Sequence, residues 1–380
     1  MTSDLRQRSV DKIARLAAEP RDLAAFWREC SEVVAAVVPH YWTPCWYTLD
    51  PASLLATSHF HDGMEEFPVE WLANEYYGDD VNQMADIAVS ATGISTLHEA
   101  TSGDPSTSRR WAFNRSMGSD QELIVRLRAP SGQVWGMLGL YREPGDRMFD
   151  TDDKRFLLAL SDHLAQGARR ALLVGEATDP DHRHPDTPGL IILSDDWEIQ
   201  SATPGLDRWL EELPDGDVRT GRLPSAVIAV AARARRNAED PDHPGGVTLS
   251  RVLSRSGTWV VLHGACLIDD GAPRIAVIVE PAHPARIYPL LMSAYQLTER
   301  EREVTQLVLQ GASTSQIAAQ LTVSPHTVQQ HLKSIFAKTG VRTRRDLVGT
   351  IFFAHYEPRF RDNERRVRTG IPMRGGPATP

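Results

Sequence analysis

The sequence predicts an α+β multidomain chain that ends in an all-α module. Three observations carry this. At 380 residues the chain is too long for one ordinary domain, and two or three are expected. Up to about residue 280, short apolar runs of strand character, punctuated by Pro, Gly, Asp and Asn, are interleaved with helical repeats. From Leu297 onward only helical spacing remains.

Residues 1–20 read as a polar helical lead-in. Leu23, Phe26, Trp27, Cys30, Val33, Val34 and Val37 then recur at helical spacing, which predicts an amphipathic helix ending near Pro39. Trp42–Tyr47 and Ser53–Phe60 read as two strands around an Asp50-Pro51 turn. Val69–Ala91 is expected to be one helix, and residues 101–110 a loop. Leu123–Leu127 and Val134–Tyr141 form a strand pair around Pro130-Ser131-Gly132. A long helix opens after Phe149, with Phe156, Leu157, Leu160, Leu164 and Ala168 on one face. The W-G-x-L-x-L-Y run from Trp135 to Tyr141, together with the F-x-x-x-D-x-x-F-L-x-x-L closing helix, resembles a GAF domain. That resemblance implies an antiparallel-sheet sensor over residues 1–175.

Residues 175–189 are a Pro/Asp/His-rich linker. Leu190–Leu193 and Ile199 onward suggest a hairpin, followed by a short helix over Leu206–Leu213 and an Ala-rich helix over Ser225–Asn237. Residues 240–246 read as a loop. Val247–Ser254, Thr258–Leu267 and Arg274–Val279 read as three strands. This order, over residues 189–282, resembles a PAS domain. A second linker, Pro281–Ala285, leads into a short helix over Arg286–Tyr295. There is no sequence repeat of 20–50 residues.

The C-terminal module, 286–356, is the most legible part. Thr298 and Glu301 have the spacing of a capping box, and Val304, Leu307 and Val308 form an apolar stripe. Gly311 stops that helix. Ser313 caps a second, with Ile317, Ala318 and Leu321 on its buried face. Ser324 caps a third, with Pro325 at its first position. On the third helix Val328, Leu332, Ile335 and Phe336 fall on one side, and His326, Gln329, Gln330 and Lys333 on the other. Side chains that donate hydrogen bonds at this spacing suit a helix laid in a DNA major groove. Gly340 ends the helix, and Thr343 caps a fourth bearing Leu347, Val348, Ile351 and Phe352. The fourth helix offers a dimer face or simply core. The basic tail, 357–380, either extends phosphate contacts or is a disordered solubilising segment.

The ordered set L-T-x-R-E-x-E-V, G-x-S, I-A-x-x-L, S-x-x-T-V, H-L-K and G-V-x-[TS]-R closely resembles the DNA-binding domain of the LuxR family of bacterial transcription regulators. The family commonly has Lys and Asn-like residues where this chain has Gln329 and Gln330, so the target sequence cannot be borrowed from it. Gln329, Gln330 and Lys333 are the candidates for base edges or adjacent phosphates. Ser313, Thr314, Thr327, Arg342 and Arg344 are phosphate candidates, with Ser324 and His326 at the start of the same helix. The resemblance implies a homodimer on double-stranded promoter or operator DNA, a small-molecule effector and RNA polymerase as a further partner.

Charge agrees with this. Leu297–Pro380 holds 13 Lys+Arg against 7 Asp+Glu, a balance of +6, whereas the preceding residues hold 28 against 43, a balance of −15. A basic module on an acidic body suits local phosphate binding. The lack of a membrane-length apolar run or a signal-peptide core points to the cytoplasm. Cys30, Cys45 and Cys266 suggest neither a disulfide framework nor a zinc site.

For the first domain, Tyr47, His59, Trp71, Tyr76 and Trp111 are the candidates for an aromatic-walled ligand pocket. The plainer reading is that they are core. His59 and His61 share a strand face, as two metal ligands can, but two His without a third ligand are more often structural. His182 and His184 get the same reading. Trp197, Trp209, Trp259 and His263 either line a second pocket or pack in a core. No phosphate loop, nucleophile elbow or H-E-x-x-H helix is present, and no cofactor is expected, so the chain reads as a non-enzyme. The stretch Trp71–Val81 faintly resembles an acyl-homoserine-lactone domain, with Asp80-Val81 where that family has Asp-Pro. The alternative function is a signalling or scaffold protein acting through protein–protein contacts.

Overall fold

A computed structural model describes residues 2–62, 68–175, 188–217, 221–239, 248–267, 273–282, 287, 290–292 and 294–355. The chain forms two compact units, Met1–Pro281 and Ala282–Pro380.

The first unit contains two five-stranded antiparallel sheets. The first comprises β1 (Cys45–Leu49), β2 (Ala56–Phe60), β3 (Ile94–Thr96), β4 (Gln121–Arg128) and β5 (Val134–Arg142), in the order β2-β1-β5-β4-β3. The second comprises β6 (Gly189–Leu193), β7 (Ile199–Ala202), β8 (Leu249–Leu253), β9 (Trp259–Leu267) and β10 (Arg274–Pro281), in the order β7-β6-β10-β9-β8. Both sheets therefore run second, first, fifth, fourth, third. Helices fill the gap between the second and third strands of each. The two halves share an architecture that leaves no sequence repeat.

Helices α1 (Thr2–Ala18), α2 (Leu23–Ala35) and α7 (Thr151–Gly175) pack together, and α7 lies against β4 and β5. Short helices α3 (Val69–Asn74), α4 (Met84–Val89), α5 (Leu97–Ala100) and α6 (Arg109–Ser116) complete this half. Every residue of β5 is buried, as a central strand covered on both faces must be. In the second half, α8 (Leu206–Glu212) and α9 (Ser225–Glu239) follow the first hairpin. Helix α9 packs on β8, β9 and β10 and also against β2 and α3 of the first half. Its Ser225–Ala232 stretch is accordingly buried throughout. Close approach needs the absence of a side chain at Gly264, where a Cβ would sit 2.7 Å from the Val230 carbonyl oxygen.

Three expectations need correction. The single helix over Val69–Ala91 is two short ones. Its polar middle bonds elsewhere: Glu75 Oε2 accepts from Met84 N at 2.9 Å, and Asp80 Oδ2 accepts from Asn74 Nδ2 at 3.0 Å and Arg110 N at 2.9 Å. Asn82 takes φ +59°, which no helix continues through. The expected loop at 101–110 holds a 3₁₀ turn, Pro105–Thr107, and the start of α6, capped by Ser108. Strand β1 begins three residues later than expected. Most of the first linker, all of the 240–246 loop, much of the second linker and all of the 357–380 tail lie outside the described residues, as do His182 and His184. No helix among the described residues is long and apolar enough to cross a membrane.

The second unit contains α10 (Glu299–Leu309), α11 (Thr314–Gln320), α12 (Pro325–Thr339) and α13 (Arg344–His355). Leu290, Leu291 and Met292 precede them in a helical, buried stretch.

Candidate nucleic-acid interface and inter-half cavity

The caps that the spacing predicts fix the second unit. Thr298 Oγ1 accepts from Glu301 N at 3.3 Å while Glu301 Oε2 accepts from Thr298 N at 2.7 Å, a complete capping box. Ser313 and Gln316 form a second box, at 3.3 and 2.7 Å. Ser324 Oγ accepts from Thr327 N at 3.0 Å. Gly340, at φ +72°, closes α12, and Thr322, at φ +54°, makes the turn into it. Val304, Leu307, Ile317, Val328, Leu332 and Ile335 are buried together. Phe336 is half-buried, and Leu321 ends α11 rather than lying within it.

With α12 held in this way, His326, Gln329, Gln330 and Lys333 are all exposed. His326 and Gln330 meet at 3.4 Å between their Nε2 atoms. Arg342 is exposed, and Arg344 is half-buried with Nη1 donating to Ala312 O at 2.8 Å and Nη2 to Thr314 Oγ1 at 3.3 Å. A shallow groove of about 480 Å³ gathers Thr314, Gln329, Lys333, Arg342 and Arg344 over a floor of Leu332, Phe336 and Val341. Five of the ten sequence candidates thus line one groove, three of them cationic. Ser313, Ser324 and Thr327 are committed to caps, whereas His326 and Gln330 stand elsewhere on the exposed face of α12.

Sequence reasoning missed the hub behind this face. Glu301, 4% exposed, accepts from Ser334 Oγ and Lys338 Nζ, each at 2.6 Å, besides Thr298 N. Burial favours its neutral form, but the bonds from Lys338, Ser334 and Thr298 outweigh this and hold its pKa below the ordinary value. The signal was present: a capping-box Glu whose side chain can also reach a cation on the third helix.

The first unit holds a cavity of about 810 Å³ between its two halves. Tyr47, His59 and Trp71 line it from the first half, and Trp197, Asp215 and Ile228 from the second. Tyr47 stacks on His59 at 4.4 Å and 3° and lies 6.0 Å from Trp71 at 17°. Tyr47 is fully buried, and its hydroxyl has no hydrogen-bond partner. Asp215 bridges the halves: its Oδ2 accepts from His59 N at 2.8 Å and its Oδ1 from Ser225 N at 3.0 Å. Burial pushes the Asp215 carboxyl up against the opposing pull of these bonds. Burial, then His61 and Arg222, hold His59 well below the usual imidazole range, so it is neutral.

Tyr76 and Trp111 lie outside this lining. Tyr76 is core, its hydroxyl accepting from Ala56 N at 2.8 Å. Trp111 Nε1 donates to Asp120 at 3.0 Å. Among the second-half aromatics only Trp197 reaches the cavity, and Trp209 is buried beside Gly189. The His59 and His61 rings approach to 4.9 Å, but among the described residues no group of three or more His, Cys, Asp or Glu can hold a metal.

Beside Trp71 the first half buries a charged network. Arg110 pairs with Glu75 and, at 3.4 Å, with Glu122, and all three side chains are at most 1% exposed. Asn82 and Asn114 donate to Glu122 at 2.7 and 2.9 Å, and the Arg110 guanidinium lies 5.2 Å from the Trp71 ring centroid. Burial raises the Glu75 carboxyl to about 6, although Arg110 and Met84 N pull the other way.

Residues 295–350 match the family described as bacterial regulatory proteins, luxR family. Every candidate from Ser313 to Arg344 falls in this stretch, which is a LuxR-family helix-turn-helix domain. Similar curated proteins include a monoamine regulon transcriptional regulator of Klebsiella aerogenes, 52% identical over 52 residues that are 14% of this chain and 23% of that protein. A putative HTH-type transcriptional regulator of Mycobacterium bovis is 50% identical over 52 residues, 14% of this chain and 6% of that protein. The chain thus spans less than a quarter of either relative. Among solved structures, the phycoerythrobilin-bound GAF domain of a cyanobacterial phytochrome matches at 14% identity and TM-score 0.32, over 48% of this chain and 98% of that one. Escherichia coli SdiA matches at 12% identity and TM-score 0.31, over 92% and 96%.

Proposed function

We propose that the chain is a sequence-specific DNA-binding transcription regulator whose first unit responds to a small molecule. The observation that carries this is the exposed α12 face. Gln329, Gln330 and Lys333 project from a helix whose other side is buried, and Arg342 and Arg344 stand beside it in one groove. Gln offers paired donor and acceptor atoms to a base edge, whereas Lys and Arg neutralise phosphates. In this reading residues 1–175 act as a GAF-like and 189–282 as a PAS-like module, supported by their motifs and their common strand order. Residues 286–356, within the second unit, read DNA as a homodimer, and their effect on transcription passes to RNA polymerase.

Titration against promoter fragments tests this. Affinity is expected to fall steeply with salt. Lys333→Ala weakens binding to all sequences and lowers the salt slope by about one. Gln329→Ala or Gln330→Ala shifts preference among sequences by about 1–3 kcal/mol. If neither kind of change alters binding, the DNA-reading face has been misassigned.

A further inference from the structure

We propose that the cavity between the two halves of the first unit is the effector site, and that it takes an organic cation with a flat or aromatic body. Its volume, about 810 Å³, is that of a site for a metabolite-sized ligand. The cavity is not internal to either sheet module. Tyr47, His59 and Trp71 face it from one half and Trp197 and Ile228 from the other, so an occupant touches both.

Charge selects the ligand class. Among the described lining residues, the carboxylates Glu70, Asp196 and Glu198 at the exposed rim and the half-buried Asp215 outnumber the guanidiniums Arg222 and Arg255. Arg255 already donates Nε to Leu213 O at 2.9 Å and Nη2 to Pro214 O at 3.3 Å. The neutral His59 adds no positive charge, and the chain up to Gln296 carries −15. Low-dielectric walls concentrate such a field inside a cleft, which attracts cations and repels anions. Aromatic walls favour a flat body and tolerate a positive one.

The inference rests on reading Met1–Pro281 as the sensing half. Calorimetric titration of the full chain with phenethylammonium and with 3-phenylpropionate, equal in shape and opposite in charge, tests it. The ammonium is expected to saturate one site per chain, about tenfold more tightly than the carboxylate. Charge reversal at the exposed rim, Glu70→Lys with Glu198→Lys, should weaken the ammonium about tenfold. Leu223→Trp, which fills the cavity from a half-buried position, should abolish binding, with circular dichroism showing that both variants keep their fold. Absence of saturable ammonium binding, equal affinity for the two probes, or binding indifferent to both variants overturns the proposal. DNA retardation on the same preparation separates the two readings. Ammonium binding without retardation removes the regulator and leaves the site, and the opposite result removes the site alone.

Discussion

At the scale of single residues, Arg110 shows what a buried charge does here. It balances two carboxylates, Glu75 and Glu122, in a place closed to water. Removing a buried partner costs about 3–5 kcal/mol, because the remaining charge is left uncompensated. The cost should depend on pH. Glu75 is raised to about 6, above its ordinary value, so protonation stabilises the folded state. That stabilisation is complete below the unfolded value and is lost as pH rises through about 6. Arg110→Met should therefore be far more damaging at pH 8, where Glu75 is charged, than at pH 5, where it is mostly neutral. Urea unfolding of both proteins at the two pH values measures this, and an equal penalty at both would refute it. Nothing in the sequence flagged the trio. Glu75 and Glu122 stand 35 and 12 positions from Arg110, and the three meet only once the sheet is built.

At the scale of elements, legibility follows the range of the interactions. Helices α10, α11 and α12 were readable because their start signals lie within three residues of each other, as at Thr298/Glu301 and Ser324/Thr327. The break between α3 and α4 was not readable, since Asp80 is held by Arg110 N, thirty positions away. The cavity shows both cases. Tyr47, His59 and Trp71 were legible as aromatic candidates, but Asp215 and Trp197 come from a different half, and no local pattern pairs them. Gly340 tests the readable kind. A Cβ there meets nothing within 4 Å, so only its φ of +72° resists substitution. Gly340→Ala should destabilise the second unit by about 1–2 kcal/mol, and Gly340→Asn by clearly less, since Asn tolerates the left-handed region. Thermal midpoints for the two variants decide it; equal losses would mean that packing, not backbone conformation, sets the cost.

At the scale of the first unit, what joins the halves matters more than either fold alone. Helix α9 is buried on both sides, and Asp50 on the β1–β2 turn clasps Arg251 on β8. Arg251 N and Nε donate to Asp50 Oδ2 at 3.0 and 2.9 Å, and Nη2 donates to Oδ1 at 2.5 Å. The Asp50 side chain is fully buried and that of Arg251 is 9% exposed, so each relies on the other. Breaking such a pair from one side costs about 3–5 kcal/mol. The pair spans the halves, so its loss should also weaken their cooperativity. In the wild type, amide protection across β1–β5 and β6–β10 should be lost together as urea rises. In Asp50→Ala the overall midpoint should fall and the two sheets should separate into distinct transitions. If the sheets still unfold together at an unchanged midpoint, the clasp does not couple them, and a ligand between the halves would have to act through α9 alone.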